Sequence, residues 1–253
     1  LAAAAAALAP LGDLLIVAPS EQQSGMGRSF PKFNDGRLFP TTVCYDGQTW
    51  PGYGANASPA QAIDHAVLEL ADRLPALSVS GINFGENVST SVTGSGTVGA
   101  ALEAAAFGIP ALAVSLETDP SLHYAYDDSV DFSTAIAFTR LFAERWLHAE
   151  RPPDVDVLKI DIPANATPQT PWQLARLERA QYFVPLPPQR RRLEDEGRIG
   201  YMFNTRAIMD EQSDAALVQA GIVAVTPLTL DMTAPVALEI MERLLSNGGG
   251  EWP

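Results

Sequence analysis

The sequence predicts an α/β fold in which a mainly parallel sheet is flanked by helices. Short apolar runs rich in Val, Ile and Leu alternate with segments of helical periodicity over residues 14–162, an alternation typical of parallel sheets. The apolar run before Ser80 also ends in a long polar, Gly-rich loop that leads into an Ala-rich helix. Ligands bind at this edge of an open parallel sheet, so that loop is the first candidate for a site.

The individual elements follow from periodicity and from residues that start or stop helices. Ser58 followed by Pro59 predicts a helix start, because Ser caps the first turn and Pro suits its first position. The predicted strands cover residues 14–18, 77–80, 110–116 and 155–162, with hairpin strands or an irregular excursion within 37–54. The predicted helices cover residues 58–72, 99–107 and 129–148. Together they predict a Rossmann-like core over residues 1–165.

The chain changes character after Ile162. Pro, Gln and Arg are frequent through residue 198 and periodicity is poor, which predicts an extended hairpin arm rather than more of the sheet. A short helix at 215–220, a strand at 222–226 and a terminal helix at 236–245 are predicted to follow. We therefore expect residues 166–253 to form an arm and a C-terminal segment within the same domain as the core.

The Ala-rich segment 1–10 predicts the second half of an amphipathic helix that ends at Pro10 and Gly12. It has no basic start of the kind that a secretory signal carries, and it is too short to span a membrane. A doubly wound fold normally begins with a strand. We therefore expect that the first strand of the fold and its loop are absent from this sequence.

Charge and cysteine content exclude some functions. The chain has 253 residues, with 30 acidic and 16 basic residues and a formal net charge of −14. Such an acidic protein is a poor candidate for binding duplex nucleic acid, which depends on Lys and Arg at phosphates. Cys44 is the only cysteine, so no intrachain disulfide is possible, which agrees with a reducing, cytoplasmic location.

The Gly-rich loop has three interpretations. Residues 94–99 read G-x-G-x-x-G, as in dinucleotide-binding folds, but more than a dozen residues separate Ser80 from Gly94, where the mechanism needs a tight turn. Alternatively, the oxygen-bearing Asn83, Glu86 and Asn87 and the hydroxyls of Ser95 and Thr97 suit a divalent cation with a phosphate ester. The third interpretation is a simple turn stabilised by its own side chains.

Four segments, in the right order over nearly the whole chain, resemble the SurE family of metal-dependent nucleotidases. Residues 17–25 resemble its V-A-P-x-x-x-x-S-G loop, and residues 80–87 its S-G-I-N-x-G-x-N loop. Residues 95–115 resemble its S-G-T-V-x-A-A-x-E helix and the following strand, and residues 225–233 its V-T-P-L-x-x-D-x-T segment. The resemblance implies a phosphomonoesterase that hydrolyses nucleoside 5′- or 3′-monophosphates with Mg²⁺ or Mn²⁺.

The resemblance also implies roles for individual residues. The family binds its metal through two aspartates of an Asn-Asp-Asp-Gly loop together with a serine and an asparagine. The aspartates have no counterpart here and are expected upstream of Leu1, so we expect the chain as given to bind metal weakly and to be inactive. The implied roles are metal binding for Ser24 and Asn83, phosphate binding for Ser95, Gly96 and Thr97, and cleft lining for Asn87 and Ser58.

Some residues depart from the family pattern or lie outside it. The family's strand ending L-N-I-N-V-P is here Leu158-Lys159-Ile160-Asp161-Ile162-Pro163. His123 follows the strand that is predicted to end at residue 116 and is a further candidate for lining the cleft.

The resemblance further implies a homodimer or homotetramer with exchanged C-terminal segments, and no membrane partner. A second function class stays open at this point: a non-catalytic nucleotide- or NAD-binding Rossmann-like domain.

Overall fold

The computed structural model describes residues 1–119, 130–208 and 210–246, so His123 lies outside the described residues. The helices are α1 (Ala2–Leu8), α2 (Pro59–His65), α3 (Gly96–Ala106), α4 (Ser133–His148), α5 (Asp214–Gln219) and α6 (Leu238–Ser246). The strands are β1 (Val17–Pro19), β2 (Leu38–Tyr45), β3 (Gln48–Ala55), β4 (Ser78–Phe84), β5 (Ala111–Leu116), β6 (Val157–Ile162), β7 (Trp172–Leu174), β8 (Phe183–Leu186), β9 (Gly200–Phe203) and β10 (Val223–Leu228).

A five-stranded central sheet carries the core, with strand order β4-β5-β6-β10-β7. The strands β4, β5 and β6 run parallel to one another, and β10 runs antiparallel to β6. A second sheet has the order β1-β3-β2, in which β1 and β3 are parallel, and β8 and β9 form a separate hairpin. The predicted α/β fold with its mainly parallel sheet and hairpin arm is confirmed.

Strand β5 shows why the sheet lies between two helix layers. All six of its residues are buried. Ala111 and Ala113 pack in one cluster with the apolar residues of α3, whereas Leu112 and Val114 pack in another with those of α4. Since successive side chains of a strand point to opposite faces, this alternation places α3 on one face of the sheet and α4 on the other.

The start of α2 agrees with the sequence. Ser58 is its N-cap, and its side chain accepts a hydrogen bond from the Gln61 N–H at 3.1 Å. Gln61 Oε1 in turn accepts from the Ser58 N–H at 3.0 Å, which completes a capping box. The helix gives way to a π-helical turn over Ala66–Leu70 before the chain enters β4.

Strand β4 runs beyond its predicted end at residue 80, because the pairing with β5 resumes after a bulge between Ser80 and Asn83. Gly81 allows this bulge. Its φ is +127°, and a Cβ at this position would lie 2.3 Å from the Val114 carbonyl oxygen. Only glycine fits such a close approach with this backbone conformation. Asn83 therefore lies within a strand and is held in register against Ser115.

The region after Ile162 contributes more to the sheet than its composition predicts. β7 was expected to belong to an arm, but it pairs with β10 in the central sheet. Its side chains are exposed, so the apolar signal of a buried strand is missing from the sequence. Backbone pairing with β10, together with contacts of the Trp172 ring with Phe142 and Arg145 of α4, places this strand, and periodicity detects neither. The division at residue 165 remains a prediction.

A buried ion cluster of Lys159, Asp161 and Asp214 joins β6 to the start of α5. All three side chains have zero exposure. Lys159 Nζ contacts Asp161 Oδ2 and lies 3.0 Å from Asp214 Oδ2. Charged side chains are almost never fully buried unless they are paired, so each member of the cluster requires the others.

Two further features belong to the fold: the edge strands of the two larger sheets, and the lengths of the helices. The strands β1 and β4 are each the terminal strand of their sheet. Over the described ranges, none of the helices is both long enough and apolar enough to cross a bilayer.

Candidate functional site

The loop after β1 lies across the beginning of α3. The Gly27 N–H donates to the Gly94 carbonyl oxygen at 2.9 Å. Gly99 faces the same loop, and a Cβ at this position would lie 2.3 Å from the Gly27 carbonyl oxygen. Arg28 Nε and Glu103 Oε2 form an ion pair at 2.5 Å that fastens the end of the loop to the body of α3. The Ser24 segment is thereby held next to the phosphate-binding turn that the sequence predicts.

The turn over Ser95, Gly96 and Thr97 opens α3. Ser95 is the N-cap, and its Oγ accepts from the Val98 N–H at 3.2 Å. The first backbone bond of the helix is from the Gly99 N–H to the Ser95 carbonyl oxygen, at 2.8 Å. The amides of Gly96 and Thr97 precede this bond and point out of the helix end, and no acidic residue lies in the first turn. This geometry suits an anion such as a phosphate group.

Asn83 presents an amide oxygen at the carboxyl end of β4. Its Nδ2 donates to the Gly85 carbonyl oxygen at 2.8 Å and to that of Phe84 at 3.2 Å. These bonds use the amide nitrogen and fix the amide orientation, which leaves Oδ1 as the acceptor. Ser24 is exposed, and its Oγ accepts from Gln22 Nε2 at 3.1 Å.

Ser24 and Asn83 fit a hard divalent cation as neutral oxygen donors. Within the described part of the chain, no group of three or more His, Cys, Asp and Glu residues is placed to hold a metal ion. The contacts of the described residues join the Ser24 loop to the phosphate turn, and they do not join Ser24 directly to Asn83. Their assignment to one cation stays a prediction, and such a cation would need anionic oxygens in addition to these two neutral donors.

Ser58 and Asn87 are both buried and engaged with protein groups. Ser58 has zero exposure, and its Oγ donates to the Ser29 carbonyl oxygen at 2.6 Å in addition to capping α2. Asn87 Nδ2 donates to Ser115 Oγ at 2.6 Å, and its backbone N–H donates to Asp161 Oδ1 at 2.7 Å. Both side chains support the loops around the site, and their cleft-lining role stays a prediction.

A second polar region lies beside Asn87. Burial raises the pKa of Glu86 to about 7, its own backbone N–H opposes this, and the charges of Glu117 and Asp161 add to the rise. Burial and the charges of Glu86 and Glu117 also raise the pKa of Tyr182, which hydrogen-bonds Glu86. Glu117 and Tyr182 line a cavity of about 250 Å³ together with residues after β6 and at the end of α5.

Sequence reasoning missed several residues that hold the site in place. Arg28 and Tyr182 carry no local signal, because their partners are distant in the sequence, whereas Glu103 is the last residue of the S-G-T-V-x-A-A-x-E motif and its pairing with Arg28 was not predicted. The ion cluster had a signal, since Lys159 and Asp161 interrupt an apolar strand that is otherwise buried on both faces. Charged residues in such a strand indicate a buried pair.

At Gly99, close packing and helix propensity predict opposite effects of an alanine substitution on stability. We expect Gly99→Ala to lower the free energy of unfolding by about 1–3 kcal/mol, because the new Cβ would press on the Gly27 backbone. Alanine in place of glycine within a helix is otherwise favourable. Gly94→Ala is the control, because a Cβ there has open space. Urea denaturation measures both variants, and equal stabilities would contradict this account of the loop–helix contact.

Glu86 makes stability depend on pH. Its pKa of about 7 in the folded protein exceeds the ordinary value of 4.5, so the folded state binds a proton that the unfolded chain releases. Stability therefore falls as pH rises from about 4.5 to about 7 and levels off above. We expect Glu86→Gln to remove this slope and to raise the free energy of unfolding at pH 8 by up to roughly 3 kcal/mol. Glu144→Gln, at an exposed position of α4, should keep the slope, and an unchanged slope in Glu86→Gln would refute the assignment.

Comparisons with known proteins find similar sequences and a similar fold. A family model described as survival protein SurE matches residues 1–183. The 5′-nucleotidase SurE of Methanothrix thermoacetophila is 39% identical over 253 residues, covering 96% of this chain and 93% of the relative. The 5′-nucleotidase SurE of Thermococcus gammatolerans is 36% identical over 252 residues, covering 97% of this chain and 90% of the relative.

A solved structure is similar as well. The crystal structure of the SurE protein from Aquifex aeolicus superimposes with a TM-score of 0.70 at 25% identity, covering 97% of this chain and 92% of that chain. The family match spans well over half of the chain and agrees with relatives that cover nearly all of it. The chain belongs to the SurE family.

Proposed function

We propose that this chain is a metal-dependent 5′-nucleotidase, a phosphomonoesterase that acts on nucleoside monophosphates with Mg²⁺ or Mn²⁺. The observation that carries the proposal is the contact between the Ser24 loop and the first turn of α3, which puts an oxygen donor beside an anion-binding helix end. Two SurE relatives bear the name 5′-nucleotidase, which supports the 5′-ester as the substrate.

The residues divide the work between phosphate and metal. The amides of Gly96 and Thr97 bind the phosphate oxygens, and Ser95 fixes the turn that presents them. Asn83 Oδ1 and Ser24 Oγ are the neutral ligands of the cation. What a divalent cation supplies when bound is polarisation of a phosphoryl oxygen and activation of water. Because the chain carries a net charge of −14, attraction of an anionic substrate depends on this helix end and the cation.

The anionic ligands of the cation are also part of the proposal. The family resemblance implies two aspartates in an Asn-Asp-Asp-Gly loop. β1 and β4 are edge strands of different sheets, and each has a neighbour on one side within its sheet. A strand that paired in parallel with the free edge of β4 would bring a loop at its own carboxyl end to the carboxyl end of β4, beside Asn83.

The alternative of a nicotinamide-dinucleotide site has less support. A dinucleotide loop needs its first glycine directly after a strand. Here β4 ends at Phe84, and a 3₁₀ helix over Ser89–Gly94 precedes α3. None of the comparisons favours a non-catalytic nucleotide-binding domain.

Hydrolysis of 5′-AMP and p-nitrophenyl phosphate by the natural protein tests the function. We expect phosphate release with Mn²⁺ or Mg²⁺ and its loss with EDTA. Asn83→Ala should raise the metal concentration for half-maximal rate by at least about 10-fold, because it removes a ligand. Asn56→Ala is the control, since this exposed amide bonds only Asp35 among its side-chain contacts in the described structure. Absence of metal-dependent phosphate release from both substrates would refute the proposal.

We further propose that α6 packs against a second copy of the chain, in a homodimer or homotetramer with exchanged C-terminal segments. No residue of α6 is buried. Its apolar side chains are exposed on one side of the helix, with Leu238 at 70% and Leu245 at 76%. An apolar stripe of this kind marks a contact surface.

Light scattering tests the oligomeric state. We expect the unmodified chain to form a dimer or tetramer, and Leu244→Glu to form a smaller species because the charge enters the apolar stripe. Glu242→Gln, on the polar side of the same helix, should keep the larger species. A monomer for the unmodified protein, or no change in Leu244→Glu, would contradict the proposed role of α6.

A cytoplasmic location is likewise proposed, on the single free Cys44. Cell fractionation tests it, and recovery of the protein outside the cytoplasm would overturn it.

A further inference from the structure

We propose that the ion cluster of Lys159, Asp161 and Asp214 positions the metal ligand Asn83. The cluster fixes the loop of residues 85–89, and this loop fixes the amide of Asn83. Asp161 is then a positioning residue of the site, although it does not touch substrate or metal. The inference rests on the proposed function, because it assigns Asn83 to metal binding.

The two carboxylates hold alternate backbone amides of the loop. Asp161 Oδ1 accepts from the Asn87 N–H at 2.7 Å, and Asp214 Oδ2 accepts from the Ser89 N–H at 3.1 Å. Ser89 has a φ of +63°, in the left-handed region that serine seldom adopts. Hydrogen bonds to ionised acceptors are roughly twice as strong as those between neutral groups, which suits them to hold such a backbone in place.

Strand register brings Asp161 into line with Asn83. Asn83 is opposite Ser115, and Ser115 is opposite Asp161, so the three residues form one row across β4, β5 and β6. Asn87 folds back over this row. Its side chain donates to Ser115 Oγ at 2.6 Å, while its backbone N–H donates to Asp161.

The loop in turn orients the amide of Asn83. Asn83 Nδ2 donates to the Gly85 carbonyl oxygen at 2.8 Å, and the Gly85 N–H donates to the Leu116 carbonyl oxygen at 2.8 Å. Gly85 is therefore fixed on one side by its hydrogen bond to β5. On the other side it is fixed by Asn87, two residues later, whose backbone N–H is bonded to Asp161. If the loop shifts, the Gly85 carbonyl moves with it. This carbonyl determines whether the nitrogen or the oxygen of the Asn83 amide faces the site.

Lys159 supplies a positive charge between two carboxylates that water does not reach. Two buried carboxylates close together without a cation would take up a proton or separate. Lys159 Nζ contacts Asp161 and lies 3.0 Å from Asp214, so both carboxylates have a cationic partner while they accept from the loop amides. Through these contacts, the charged residues of the cluster on β6 fix the position of the ligand Asn83 on β4, two strands away.

Asp161→Ala tests the inference against a matched control. Asp156, at the other end of the β6 segment, also holds a backbone amide, because its Oδ2 accepts from the Leu230 N–H at 2.6 Å. We expect Asp161→Ala to weaken Mn²⁺ binding about 10- to 100-fold, as loss of an outer-sphere partner does. Asp156→Ala should leave Mn²⁺ binding unchanged. Binding is measured by electron paramagnetic resonance of free Mn²⁺ in the natural protein, and amide hydrogen exchange should rise over residues 85–89 in Asp161→Ala alone.

A second variant covers the case in which Asp161→Ala does not fold. Ser115→Ala removes the acceptor of the Asn87 side chain and leaves every charge in place. We expect weaker Mn²⁺ binding in this variant with an unchanged rate at saturating metal.

The outcomes separate the two proposals. Wild-type Mn²⁺ binding in Ser115→Ala, or equal effects of Asp161→Ala and Asp156→Ala, would overturn the positioning role while leaving the nucleotidase proposal intact. Absence of Mn²⁺ binding in the unmodified protein would instead overturn the metal site itself, and this inference with it.

Discussion

The buried ion cluster is the interaction on which the arrangement of this molecule depends. Lys159 on β6 pairs with Asp214 at the start of α5. Asp161 and Asp214 also accept hydrogen bonds from backbone amides of the loop that leads from β4 to α3. Asp214 also accepts from the Glu178 N–H at 3.0 Å. Four separate segments of the chain therefore converge on three charges. Because removing one partner leaves an uncompensated buried charge, the four segments depend on one another in the folded state.

The cluster works alongside a second constraint of a different kind. The loop after β1 reaches α3 by close backbone contact at Gly99, where the absence of a side chain decides the fit. One constraint is electrostatic and the other is steric. They act on the two halves of the candidate site: the cluster holds the side of Asn83, and the glycine contact holds the side of Ser24. The turn over Ser95, Gly96 and Thr97 opens a helix that packs on the sheet.

Much of the fold follows from the sequence, because its signals are local. The capping residues Ser58 and Gln61, and the apolar run of β5, specify their elements without reference to distant residues. The structure differs where the decisive contact is remote. β7 has an exposed, unpatterned sequence and is placed by its pairing with β10. Asn83 belongs to β4 because of a bulge that only Gly81 permits. The sequence motifs predict the candidate site, but the only sequence sign of the charges that support it is that Lys159 and Asp161 interrupt the apolar strand β6.

The antiparallel strand β10 has a consequence for how the chain folds. It lies between β6 and β7, and residues 223–228 therefore complete a sheet whose first strands are made far earlier. Pairings between distant segments slow folding, because loop closure must precede the contacts that stabilise it. During synthesis, Lys159 and Asp161 leave the ribosome well before Asp214. Until residues 214–228 are made, Lys159 and Asp161 lack Asp214 and the β6 edge lacks its partner β10, and unpaired strand edges of this kind favour misassembly.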